Sequence, residues 1–268
     1  MSTPTGAPQF ASWSRDAATL TRRILLHWRQ RPASILLELL FPVLMVVMFG
    51  YLFGGAMAIP DGTYTDFVIP GMLAMTMLFG LESVVVAVTS DAARGVTERI
   101  RAMPVSGVAV LTGRSWADML NALAGLAVMV ATGLVVGWRP QHGLVPALVA
   151  LGLLLWLRFA FVWLGIYLGL LLRTPESAVS VQVLVWPVGF LSSAFVSPET
   201  MPTWLGAIAT WNPLSATATA VRELFGNPTW AAHTWAADHS VLLAVLWPAV
   251  LTAVFLPLAY RQYRSLAR

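Results

Sequence analysis

Six apolar runs of about twenty residues or more limit what this chain can fold into. They lie near 34–54, 67–89, 116–137, 144–172, 178–196 and 241–260. A hydrocarbon core of about 30 Å takes about 20 apolar residues to cross as a helix, and each run is long enough. Lipid gives backbone N–H and C=O groups no partner, so such spans must bond internally as helices. The chain therefore reads as an all-α polytopic membrane protein with six transmembrane helices, forming one domain over residues 1–268. Only 10% of its residues are charged, against about 25% in an average soluble domain, which excludes a water-soluble fold. The fourth run is long enough to tilt or to project beyond the bilayer. Pro187 is expected to kink the fifth. Gly50-x-x-x-Gly54 and Gly165-x-x-x-Gly169 would let a neighbouring helix approach closely.

The charges give the orientation. All 16 basic residues are arginine, and 13 of them fall before the first run, between the second and third, at Arg173, or after the last. Short arginine-rich loops stay on the cytoplasmic side, which places both termini in the cytoplasm. Arg139 and Arg222 fall on the external side, and Arg158 falls inside a span. So distributed, the basic charge suits lipid headgroups rather than nucleic acid. There is no cysteine, hence no disulfide and no thiolate metal site.

Residues 13–30 alternate in a helical pattern, with Trp13, Ala17, Leu20, Ile24 and Trp28 on one stripe and Arg15, Arg22 and Arg29 opposite. Such a helix suits the membrane interface, or else packs on a protein partner. The segment 91–114 carries four arginines against Asp91 and Glu98. Within it 97–103 can form a short helix that Pro104 stops. Two readings stand: a solvated connector, or a charged helix that bears on a partner below the membrane. On the other side, 197–240 holds two short apolar helices, 201–211 and 214–225, separated by Asn212-Pro213. They form either a re-entrant hairpin dipping into the outer leaflet or a cap lying flat on it.

The chain carries little that reads as catalysis. Without lysine there can be no Gly-x-x-x-x-Gly-Lys phosphate loop, and the commonest hydrolase signatures are missing. His233, Asp238 and His239 lack the ordered spacing of a metal site, so no metal is expected. Two ionisable residues lie deep in spans, Glu82 and Arg158, while Glu38 is near a span's edge. Counted from the outer ends of their helices, Glu82 and Arg158 both lie roughly 21–22 Å down. A charge near the midplane costs several kcal/mol unless paired or hydrated, so the two either pair with each other or each face a hydrated pathway and contact substrate separately.

Two stretches resemble the membrane subunits of type 2 ABC exporters, the family that includes daunorubicin-resistance permeases. The first is Gly95-Val-Thr-Glu-Arg-Ile-Arg-Ala-Met-Pro-Val-Ser, followed by Gly113-Arg114. It is similar to the family's Gly-Thr-Leu-Glu-Arg and Thr-Pro-Val-Ser runs on the helix that couples to the ATPase. Val96 interrupts the usual Gly-Thr adjacency, leaving the cap of that helix open. The second is Pro187-Val-Gly-Phe-Leu-Ser-Ser-Ala-Phe, then Met201-Pro-x-Trp-Leu, Asn212-Pro-Leu-Ser and Arg222.

The resemblance implies a permease half in a bacterial plasma membrane. It would pair with a second half, identical or different, and with two nucleotide-binding ATPase subunits that hold ATP and Mg. The cargo would be a hydrophobic or amphipathic small molecule of drug type, moved outward. Arg94, Thr97, Glu98, Arg99 and Arg101 would be the coupling residues. A lipid-linked glycan permease shares this architecture. A secondary transporter or channel should show more midspan charges or broken spans in matching halves.

Overall fold

The computed structural model describes residues 21, 32–53, 62–101, 106–229 and 234–266. The interfacial helix expected over 13–30 lies outside them apart from Thr21, as do Gly54, His233 and the end of the 97–103 helix. Every element among the described residues is helical. In chain order these are α1 (Pro32–Met48, continued as a π turn over Phe49–Phe53), α2 (Tyr64–Ala93), α3 (Val96–Arg101) and α4 (Gly107–Val136). They continue with α5 (Leu144–Leu172), α6 (Pro175–Phe190), a 3-10 turn (Pro198–Thr200), α7 (Thr203–Thr210), α8 (Pro213–Phe225), α9 (Trp235–Asp238) and α10 (Ser240–Ser265).

Four of them, α2, α4, α5 and α10, are long and apolar enough to cross a membrane. The first and fifth runs make shorter helices, α1 with 17 residues and α6 with 16. The fifth was expected to reach Val196, yet α6 stops at Phe190. Pro187 has no N–H to continue the ladder, and Ser192 turns its hydroxyl back onto the Gly189 carbonyl. Asn212 caps the break from across the hairpin. Its Nδ2 donates to the carbonyls of Val188 (2.9 Å) and Leu191 (2.7 Å), while its Oδ1 accepts the Leu214 N–H at 2.9 Å. One amide thus satisfies the open end of α6 and the start of α8.

Hydroxyl caps set the starts of α2, α4 and α6. Thr63 accepts from the Asp66 N–H, Ser106 from Ala109 and Thr174 from Ser177. The Ser106 cap starts α4 nine residues ahead of the expected span, so Arg114 lies within the helix rather than in the loop. Arg173 closes α5 in the left-handed region at φ 61°, a costly conformation for a side chain with a Cβ.

Successive helices run in opposite directions between two ends. At the Arg-rich end, the start of α4 meets the end of α10, where a Cβ on Gly107 would sit 2.9 Å from the Tyr263 ring. At the hairpin end, the Trp138 indole N–H donates to Asn227 at 2.9 Å and the Gln141 N–H donates to the Phe225 carbonyl. α2 is the axis of the bundle, buried on all sides from Phe67 to Met75. α5 crosses it at the expected glycines. A Cβ on Gly165 would lie 3.0 Å from the Val84 Cβ, and one on Gly169 would lie 2.5 Å from the Val88 Cβ. The small-residue stripe is a helix–helix contact.

Candidate functional site

Two regions of the bundle carry the chemistry the sequence points to: the Arg-rich loop and a cavity among α1, α2, α4, α5 and α6.

Gly95 turns the chain at φ 66° after α2, and its carbonyl accepts the Arg99 N–H at 3.2 Å. Only a residue free of Cβ crowding takes that turn readily, so α3 begins at Val96 rather than at Thr97. Arg94, Glu98 and Arg99 are exposed and Thr97 is partly covered; Arg101 ends α3. Arg114 behaves differently. It bridges the base of the loop, 2.7 Å from Asp91 on α2, and lies 4.0 Å from Asp118 one turn along α4. The Thr21 hydroxyl donates to the carbonyl of Gly113 at 2.9 Å, beside that bridge.

The cavity encloses about 570 Å³, within the usual size of small-molecule sites. α2 lines it with Thr76, Phe79, Gly80, Ser83 and Val86, which share a face at helical spacing. Phe41 of α1 and Trp186 of α6 close one wall. Their rings pack with Phe79, at 5.4 Å between Phe41 and Trp186 and 5.0 Å between Phe79 and Trp186. Asn121 of α4, Gln182 of α6, Glu82 and Arg158 supply polar groups.

Both of the deep charges expected from the sequence, Glu82 and Arg158, therefore line one cavity. Glu82 is partly exposed and accepts a hydrogen bond from the Gln182 amide. Arg158 is 2% exposed and donates to the Met77 carbonyl at 3.4 Å. Gly80 makes room for it, because a Cβ there would fall onto the guanidinium.

Asp118 was not singled out in the sequence, since it sits just inside the expected start of the third span. It is buried, it lies one turn from the cavity-lining Ala122, and Arg114 lies 4.0 Å from it. The i, i+4 spacing of Arg114 and Asp118 was the signal that could have found it.

Arg222, placed on the external side in the 214–225 helix, lies in that helix and is 2% exposed. Its Nε donates to the Phe67 carbonyl at 2.8 Å and its NH2 group donates to the Ala194 carbonyl at 2.9 Å. The guanidinium lies 3.7 Å from the Phe67 ring centroid. It pins α8 and the unwound segment after α6 to the start of α2.

Residues 16–225 match the ABC-2 type transporter family. The chain is 34% identical over 252 residues to the daunorubicin resistance ABC transporter permease protein DrrB1 of Streptomyces coeruleorubidus, across 93% of this chain and 87% of that protein. It is 23% identical to the probable doxorubicin resistance ABC transporter permease protein DrrC of Mycobacterium tuberculosis, across 96% and 95% of the two chains. A putative transport permease, ycf38 of Cyanophora paradoxa, is 26% identical across 81% of this chain and 76% of its own length.

Proposed function

The chain belongs to the ABC-2 type transporter family, and from that premise we propose that it is the permease subunit of an ATP-driven exporter of hydrophobic or amphipathic drug-type molecules. The observation that carries this reading is the likeness to a daunorubicin resistance permease along 93% of the chain. The aromatic and polar cavity supports it by offering such a molecule a place inside the bundle.

In this reading α1 and α6 complete a set of six spans. The 17 residues of α1 and the 5 of its π turn would rise about 33 Å together, enough to cross. α6 rises only about 24 Å, and the segment that follows it completes the crossing without being helical. Ser192, Ala194 and Ser197 there are fully buried in protein, the condition under which irregular backbone is tolerated at membrane depth. α7 and α8 then form a re-entrant hairpin, and both termini lie in the cytoplasm.

Energy comes from a separate nucleotide-binding subunit, present twice, which holds ATP and Mg; a second permease half, identical or different, completes the pathway. Arg94, Thr97, Glu98, Arg99 and Arg101 meet the ATPase. Glu82 and Arg158 are the charged groups that line the cavity. The test is hydrolysis measured with and without the partner. The purified chain should turn over no ATP above background, and its complex with the ATPase subunit should do so faster when daunorubicin is added. Stoichiometric turnover by the isolated chain, or a complex indifferent to daunorubicin, would refute the proposal.

A further inference from the structure

The two charges of the cavity are placed differently, and the difference selects a cargo. Arg158 is sunk in the wall, 2% exposed, in the space that Gly80 leaves, with its guanidinium donating to the Met77 carbonyl. Asp118 is also buried, on α4 one turn from the cavity-lining Ala122. With 2% of its surface exposed, the arginine offers a bound molecule little to contact. Glu82 stands at the open side, partly exposed, and the group that holds its carboxylate is the neutral amide of Gln182, itself exposed. An amide orients a carboxylate without cancelling its charge.

The aromatic wall begins one helical turn away. Phe79 precedes Glu82 by three positions on α2, and Trp186 follows Gln182 by four on α6, so both rings share the face of the carboxylate. Phe41 meets Phe79 at 5.9 Å and Trp186 at 5.4 Å between ring centroids, both edge to face. A positive group beside Glu82 would lie near these rings, whose faces attract cations, while an apolar ring system could pack against them.

We propose that Glu82, presented by Gln182, is the specificity-determining counter-charge of the cavity. It selects cationic aromatic amphiphiles, whose apolar part rests on Phe41, Phe79 and Trp186. This rests on the permease reading and adds the charge sign of the cargo to it.

Tetraphenylphosphonium and tetraphenylborate share four phenyl rings and differ in the sign of their charge, so they isolate the effect. Equilibrium binding of each is measured on the purified complex with its ATPase subunit. The unaltered complex should bind the phosphonium about tenfold or more tighter than the borate, the order expected of one charge-assisted contact. Glu82→Gln should abolish that preference by weakening phosphonium binding alone, and Glu82→Asp should keep it. Trp186→Ala should weaken both ions, the phosphonium more, because a ring face attracts a cation. Should Glu82→Gln fail to accumulate, Gln182→Leu takes its place, with phosphonium binding weakened by about threefold or more expected.

Equal binding of the two ions, or unchanged phosphonium binding in the Glu82→Gln or Gln182→Leu complex, overturns the proposal. If neither ion binds while daunorubicin still stimulates ATP turnover, the charge selection falls and the permease reading stands. If daunorubicin also has no effect, the permease reading fails and this proposal falls with it.

Discussion

Arg114 on α4 donates to Asp91 on α2 at 2.7 Å, which ties together the two helices that flank the Arg-rich loop. The same guanidinium faces Asp118 at 4.0 Å, so one arginine serves a half-exposed carboxylate and a buried one. Arg94 and Arg99 remain on the surface, while Arg114 belongs to the frame that holds the loop.

The two sides of this bridge should not cost the same. Asp91→Asn removes a partly solvated pair and should cost about 1 kcal/mol or less. Arg114→Gln strands the buried Asp118 as well and should cost about 3 kcal/mol. Thermal unfolding of the two variants in detergent decides the matter, and equal shifts would show that Asp118 does not depend on Arg114.

The charges of α3 should matter to coupling rather than to folding. Reversing Glu98, Arg99 and Arg101 together should leave membrane insertion unchanged and lower ATP-driven transport by about tenfold or more, since several rim charges of up to ~1 kcal/mol each are inverted at once. Transport at the unaltered rate would make the loop a plain connector.

Much of this architecture was legible because membrane folds write their main constraint in long apolar runs and in arginine placement. The Gly165/Gly169 contact was legible too, since small residues at i and i+4 have few other uses in a span. The early end of α6 was only half visible. Pro187 marked a kink, but the cap that stabilises the break is Asn212, 25 positions further on. The burial of Arg222 was hidden for the same reason: its partners, the Phe67 and Ala194 carbonyls, become neighbours only when the hairpin folds back. The depths of Glu82 and Arg158 could be counted along their helices. That they share a cavity with an aromatic wall depends on helix rotations that no local pattern encodes.

The glycines of α5 offer an internal control. Gly169→Ala would push a methyl into Val88 and should destabilise by about 1–3 kcal/mol. On the same helix, nothing lies within 4 Å of a Cβ on Gly152, and Gly152→Ala should be neutral or stabilising by up to about 1 kcal/mol. Matching effects at the two positions would contradict the packing of α5 on α2.

Arg222 should resist conservative replacement. Arg222→Lys keeps the charge but cannot reach two carbonyls in a fork while lying over the Phe67 ring. Leaving a buried carbonyl unsatisfied costs about 1–3 kcal/mol, so Arg222→Lys and Arg222→Met should both lose folded protein. Full recovery with lysine would reduce the role of Arg222 to its charge.

ATP-driven accumulation of daunorubicin in inside-out vesicles tests the central claim most directly. Vesicles holding this chain with its ATPase subunit should accumulate the drug when ATP and Mg are added. Vesicles with either subunit alone, or with an ATPase subunit unable to hydrolyse ATP, should not. Accumulation by this chain alone, driven by an ion gradient and indifferent to ATP, would contradict the account.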